Sequence, residues 1–207
     1  RETVDAFLNL SHKLARDHFL PHYKKTDQNE PYIENGKVRV LPEITDALRK
    51  YADLGMFSAG FPEELGGMGF PNIVTNTAYT ILAAANGATV GYSLLTVANA
   101  RLISKFGNEA QIKEFAVPQI KGEWFGTMCL SEPQAGSGLG DIKTKATFEG
   151  QDFLGDCYKL KGNKMWISGG DQDISENIVH LVLAKVPNVD GDLMEGTSGI
   201  SLFIVPK

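Results

Sequence analysis

Cysteine is nearly absent from this chain: 207 residues hold only Cys129 and Cys157. Two thiols in separate strand-like segments make neither a metal-ligand spacing nor a disulfide framework, so both read as reduced residues and a cytoplasmic setting is expected. An excess of positive charge is lacking too. Twenty Lys and Arg stand against 25 Asp and Glu, a formal net charge of −5, which gives nucleic acid no general electrostatic footprint. No unbroken apolar run approaches the roughly 18 residues of a membrane span, so no membrane partner is expected. The start at Arg1 carries neither a basic n-region nor an apolar h-region, and no targeting peptide is read there. His18 and His22 have the i, i+4 spacing of helical ligands, but Pro21 lies between them and no acid is placed to orient them. They read as surface residues, and no metal is expected.

What the chain does have is 43% hydrophobic residues in two different rhythms. In the first part they fall at helical spacing. Val4, Phe7, Leu8, Leu14 and Ala15 predict a helix stopped by Pro21, and Ile44, Ala47, Leu48, Tyr51 and Leu54 predict another between Pro42 and Gly55. A third runs from Ile73 to a stop at Asn86-Gly87, and a fourth from Leu95 to Gly107. Asn108 with Gln111 has the form of a capping box opening a short fifth helix, with Pro118 as its end. Asn35-Gly36 predicts a small hairpin. None of these helices presents paired acids to a pocket, so no catalytic residue is assigned in them.

From Trp124 onward the period is two. Residues 124–130, 143–149, 156–160, 164–168, 178–186 and 199–205 read as strands separated by Gly, Asn, Asp or Pro. The expected fold is α+β: a helical domain over residues 1–122, then an antiparallel β domain over 123–207, an open barrel or sandwich.

One stretch changes character within ten residues. Met128-Cys129-Leu130 is strand-like, Pro133 lacks an N–H and ends the ladder, and Ala135-Gly136-Ser137-Gly138 is a flexible, hydroxyl-bearing loop. Its glycines permit close approach of a bound molecule, and Ser131 and Ser137 both donate and accept hydrogen bonds. The residues by themselves leave a plain turn and a ligand loop open. A second stretch, Tyr158 to Gly170, predicts a hairpin at Gly162-Asn163 and a strand ending in Trp166-Ile167-Ser168 before a glycine pair.

Read together, Met128-Cys129-Leu130-Ser131-Glu132-Pro133-Gln134-Ala135-Gly136-Ser137 and Trp166-Ile167-Ser168 resemble the paired flavin-contacting segments of the acyl-CoA dehydrogenase family. Phe61-Pro62-Glu63-Glu64-Leu65-Gly66-Gly67-Met68-Gly69 resembles that family's loop near the acyl entrance, and the likeness extends over essentially the whole chain. The resemblance implies FAD as cofactor. Ser131 and Ser168 match hydroxyls on the flavin ring, Trp166 and Ile167 the stacking strand, and Met128 and Leu130 main-chain contacts. Gly136 and Ser137 match contacts to the pyrophosphate, with Ser137 also on the acyl-CoA. Gly-Leu-Gly-Asp at residues 138–141 departs from the family's usual Asp directly after the Ser. Glu132 reads as structural.

The resemblance further implies an acyl-CoA substrate, an electron-transfer flavoprotein or similar acceptor, and a homo-oligomer at full length. The base is a Glu of a C-terminal helical bundle that this chain lacks, so the chain alone is expected to be inactive. Flavin-dependent oxidases or monooxygenases of the same fold, and flavin-holding relatives with a non-catalytic role, remain alternatives.

Overall fold

A computed structural model describes residues 1–207. The helical part comprises α1 (Glu2–Leu14), α2 (Tyr23–Gln28), α3 (Pro42–Asp53), α4 (Asn72–Phe106), α5 (Glu109–Gln111) and α6 (Val117–Ile120), with a small ladder of β1 (Tyr32–Glu34) and β2 (Lys37–Arg39). The β part comprises β3 (Phe125–Cys129), β4 (Lys145–Asp152), β5 (Gly155–Lys161), β6 (Ile178–Lys185) and β7 (Ile200–Pro206).

Local chemistry explains most boundaries. Asn35 and Gly36 both take positive φ, 51° and 74°, as a two-residue hairpin turn requires. Pro42 opens α3 with Glu43 in its first turn, where a missing N–H costs nothing and a carboxylate meets the positive helix end. The Asn108–Gln111 capping box forms in both directions. Past it the helix does not stop at Pro118 as expected. A π-helical turn, Ile112–Ala116, leads into α6, where Pro118 sits near the start of a new turn and has no hydrogen bond to lose.

The two helices expected on either side of Asn86 are one bent helix, α4. Asn86 alone leaves helical geometry, at φ −159° and ψ 90°. Its Oδ1 accepts from Thr89 N at 3.1 Å and its Nδ2 donates to Phe19 O at 3.2 Å, so it caps the second half from inside. By length and composition α4 is apolar enough to cross a membrane, which contiguous runs did not reveal. In the fold it packs on α1 and β3, and its buried polar side chains, among them Asn86, Thr96 and Asn99, bond to other elements. His18 is exposed, but His22 is buried and not a surface residue, its Nε2 2.8 Å from Thr89 Oγ1.

The sheet runs β3-β6-β4-β5, with β7 on β6. Helical part followed by β part stands as expected, and β4–β5 and β6–β7 are antiparallel. The antiparallel expectation is corrected at β3 and β6, which pair in parallel from Phe125↔Ile178 to Cys129↔Val182. The β4–β5 hairpin and residues 162–177 lie between them, enough chain for a crossover. The tight turn falls at Asp152–Gly155, where Asp152 Oδ1 accepts from Leu154 N at 2.7 Å, and not at Gly162-Asn163. Residues 164–168 form no strand.

Two apolar clusters result. One joins α1, α3 and α4 around Phe19, Leu48, Phe57 and Leu82 and reaches Phe125 of β3. The other packs the end of α4 and α6 on the opposite face of the sheet, through Ile103, Phe115, Val179 and Leu181.

Candidate functional site

β3 ends at Cys129, and the chain turns over Pro133-Gln134, with Glu132 N donating to Ala135 O at 2.8 Å and Ala135 N to Glu132 O at 3.0 Å. This turn buries the Glu132 side chain to 3% exposure. Its carboxylate accepts from Lys143 N (2.7 Å), Thr144 N (3.1 Å), Thr144 Oγ1 (2.5 Å) and Gln134 Nε2 (2.7 Å). Lys164 Nζ completes the set at 2.8 Å. Burial works to raise the Glu132 pKa, but the donors from Lys143, Lys164 and Thr144 outweigh it and hold the carboxyl at about 2, below the ordinary 4.5.

A depressed carboxyl contributes stability above its unfolded pKa and loses it as pH falls through the folded value. The urea midpoint should therefore drop more steeply between about pH 5 and about pH 2 in the wild type than in Glu132→Gln. Equal slopes would remove this group from the account of acid stability.

The same lysine ties in the second segment. Lys164 Nζ also donates to Leu130 O at 3.0 Å, and Met165 N donates to Ser131 O at 3.0 Å. The backbone of Leu130 and Ser131 is thus fixed beside Lys164-Met165, directly before Trp166-Ile167-Ser168. Trp166 takes φ +56° and leaves 75% of its surface exposed. A bulky residue in left-handed backbone with its ring in solvent is an outlier that side-chain packing does not explain.

The remaining predicted residues divide by burial. Met128, Leu130, Ser131 and Ile167 are half-buried, while Gly136, Ser137 and Ser168 are exposed. Met128 packs on the second apolar cluster, and Gly136 faces open space. The Ser131, Ser137 and Ser168 hydroxyls have no hydrogen-bond partner within the chain, although their surroundings are densely bonded. Ser168 and Gly169 meet Tyr92, Leu94 and Leu95 of α4 across a cleft of about 380 Å³. Leu94 is shared with a larger cavity of about 580 Å³, lined mainly by apolar residues of α4, among them Tyr79 and Val97, with Phe7 of α1, Tyr51 of α3 and Met56 of the loop after α3. No Asp or Glu lines either space.

Residues 1–123 match the family model for the acyl-CoA dehydrogenase N-terminal domain. The chain belongs to the acyl-CoA dehydrogenase family. It is 41% identical over 176 residues, 84% of its length, to 3-methylmercaptopropionyl-CoA dehydrogenase of Ruegeria pomeroyi, and spans 28% of that enzyme. Among solved structures, butyryl-CoA dehydrogenase from Megasphaera elsdenii is similar over 99% of this chain and 48% of its own, at TM-score 0.76 and 27% identity. An acyl-CoA dehydrogenase complexed with FAD from Bacillus anthracis is similar over 99% of this chain and 31% of its own, at TM-score 0.74 and 25% identity. The chain thus spans less than half the length of each of these acyl-CoA dehydrogenases.

Sequence reasoning missed the α4 residues Tyr92, Leu94 and Leu95, because they read as ordinary core positions of an apolar helix. It also missed Lys164 and Thr144. The signal available for them was Glu132 itself: a carboxylate locked in a turn between apolar strands needs a cation and donors.

Proposed function

We propose that the full-length protein is an FAD-dependent acyl-CoA dehydrogenase that converts an acyl-CoA thioester to the trans-2-enoyl-CoA. The observation that carries this reading is the bracket of Glu132 and Lys164, which ties the Ser131 loop to the segment leading into Trp166-Ile167-Ser168, whose Ser168 lines a cleft against α4. The donor set fits a flavin: serine hydroxyls without partners, an exposed ring on left-handed backbone, and a glycine loop with open space around it. FAD, when bound, supplies the acceptor for the two electrons that leave the β-carbon as hydride.

The chain's own residues orient and shield. Ser131 and Ser168 would donate hydrogen bonds to the flavin where negative charge develops on reduction. Trp166 and Ile167 would shield the ring, and Met128 and Leu130 would contribute main-chain groups. Gly136 and Ser137 would hold the phosphates, with Ser137 also contacting the thioester. The α4 cavity takes the acyl group and excludes water. No Asp or Glu lines the cavity, and none of residues 1–207 is assigned as the base for the α-proton. A separate carrier such as an electron-transfer flavoprotein would be the electron acceptor, and the full-length protein a cytoplasmic homo-oligomer.

The test is anaerobic mixing of full-length protein with short and medium acyl-CoAs, including 3-methylmercaptopropionyl-CoA, while flavin absorbance is followed. Bleaching is expected. Ser131→Ala should slow it roughly ten- to a hundredfold, since a hydrogen bond to developing charge is worth about 1.5 to 3 kcal/mol. If no thioester bleaches the flavin while another substrate turns over with oxygen, an oxidase or monooxygenase of the same fold replaces this reading.

A further inference from the structure

The α4 cavity contains a cation that the chain leaves unanswered. Arg101 lines it, seven residues beyond Leu94, about 10 Å along the helix axis. Its guanidinium carbon lies 5.8 Å from the centre of the Phe61 ring. Space for it comes from Gly60, where a Cβ would stand 2.5 Å from Arg101 Nη2 and 3.3 Å from Thr75 Cγ2. None of the ion pairs in the structure involves Arg101, and no side-chain or main-chain oxygen accepts from it. Lys105, one turn further, also lines the cavity and also lacks an acidic partner.

A guanidinium seated against an aromatic ring in a cavity without a carboxylate holds five N–H donors that seek an anion. The ring contributes attraction at the face but accepts none of those donors in plane. Charge, shape and position therefore specify an occupant. It is apolar along Leu94, Val97 and Tyr79, and it ends in a planar anion about 10 Å from the Ser168 cleft.

We infer that Arg101 selects acyl thioesters whose far end carries a carboxylate, bound through the guanidinium fork with Lys105 in support. This rests on the acyl-CoA dehydrogenase reading, with Leu94 lining both the cleft beside Ser168 and the α4 cavity. A plain alkyl chain of equal length fills the apolar part but strands the guanidinium, removing it from water without an acceptor.

The experiment uses the full-length flavoprotein and two matched pairs, hexanoyl-CoA against adipyl-CoA and octanoyl-CoA against suberyl-CoA. Flavin bleaching gives kcat/KM, and calorimetry gives the affinity of each thioester independently of turnover. The ω-carboxyl member of at least one pair is expected to be favoured tenfold or more in both readings. Arg101→Met should reduce that ratio at least tenfold, and Arg101→Lys should keep part of it, because the charge remains while the fork is lost. A ratio near one in the wild type, or a ratio that Arg101→Met leaves unchanged, overturns the inference; the cation then answers to a protein carboxylate instead. Plain thioesters bleaching the flavin in that case leaves the dehydrogenase reading intact. Absence of bleaching by every thioester defeats that reading, and the calorimetric ratio still decides whether Arg101 binds the carboxylate.

Discussion

Lys164→Met is expected to cost about 3 to 5 kcal/mol of stability, the range for removing one partner of a buried ion pair. Glu132 is 3% exposed and Lys164 12%, so the loss leaves a carboxylate facing its remaining neutral donors with no cation. One further bond goes with it, because the same Nζ holds Leu130 O. Replacing both partners, Glu132→Gln with Lys164→Met, should cost clearly less than the two single changes added together, since the double variant strands no charge. Urea unfolding of the four proteins measures the cycle. A Lys164→Met protein within about 1 kcal/mol of the wild type would mean that the bracket is solvated and fixes nothing. The functional consequence follows from geometry: without Lys164, only the Met165 N to Ser131 O bond still ties the Trp166 segment to the Ser131 loop.

Much of this architecture was legible because local rules and the fold agree. β6 and β7 appear within a residue or two of the expected 178–186 and 199–205, since a short apolar run rich in β-branched residues and bounded by turn residues is a strong strand signal. The capping box at Asn108 and the turn at Asn35-Gly36 carry their geometry in their own residue types. Failures came where a distant partner decides. Residues 164–168 carry the apolar Met165-Trp166-Ile167 of a strand but give their Met165 N–H to Ser131 and turn left-handed at Trp166. The parallel pairing of β3 with β6 joins segments about fifty residues apart, with no turn between them to announce it. Asn86-Gly87 carries a stop signal, yet Asn86 caps the next helical turn in place and the helix resumes. The two candidate segments were readable as motifs, but the lysine that joins them and the α4 side chains that face them were not. A bridge from Glu132 to Lys164 leaves no periodic trace in sequence.

Asn99→Ala is expected to destabilise the chain by about 2 to 5 kcal/mol, as two buried carbonyls lose their donor at about 1 to 3 kcal/mol each. Asn99 is 3% exposed, and its Nδ2 donates to Thr127 O of β3 at 2.9 Å and to Val179 O of β6 at 2.8 Å. Its Oδ1 accepts from Gln119 Nε2 of α6 at 2.9 Å. One side chain therefore fastens α4 to both parallel strands. Gly126 makes room for the pair, since a Cβ there would fall 2.1 Å from Gln119 Oε1 and 2.7 Å from Asn99 Cβ. Asn99→Asp should be no better than Asn99→Ala despite its matching shape, because a carboxylate presents acceptors to two carbonyls and one amide donor cannot compensate. Unfolding free energies within about 0.5 kcal/mol of the wild type for Asn99→Ala would show that water replaces the amide without loss. The position matters beyond stability. α4 carries Leu94 and Arg101, while β3 leads into Ser131, so the amide that holds Thr127 and Val179 also sets the distance between the α4 cavity and the loop proposed to meet the flavin.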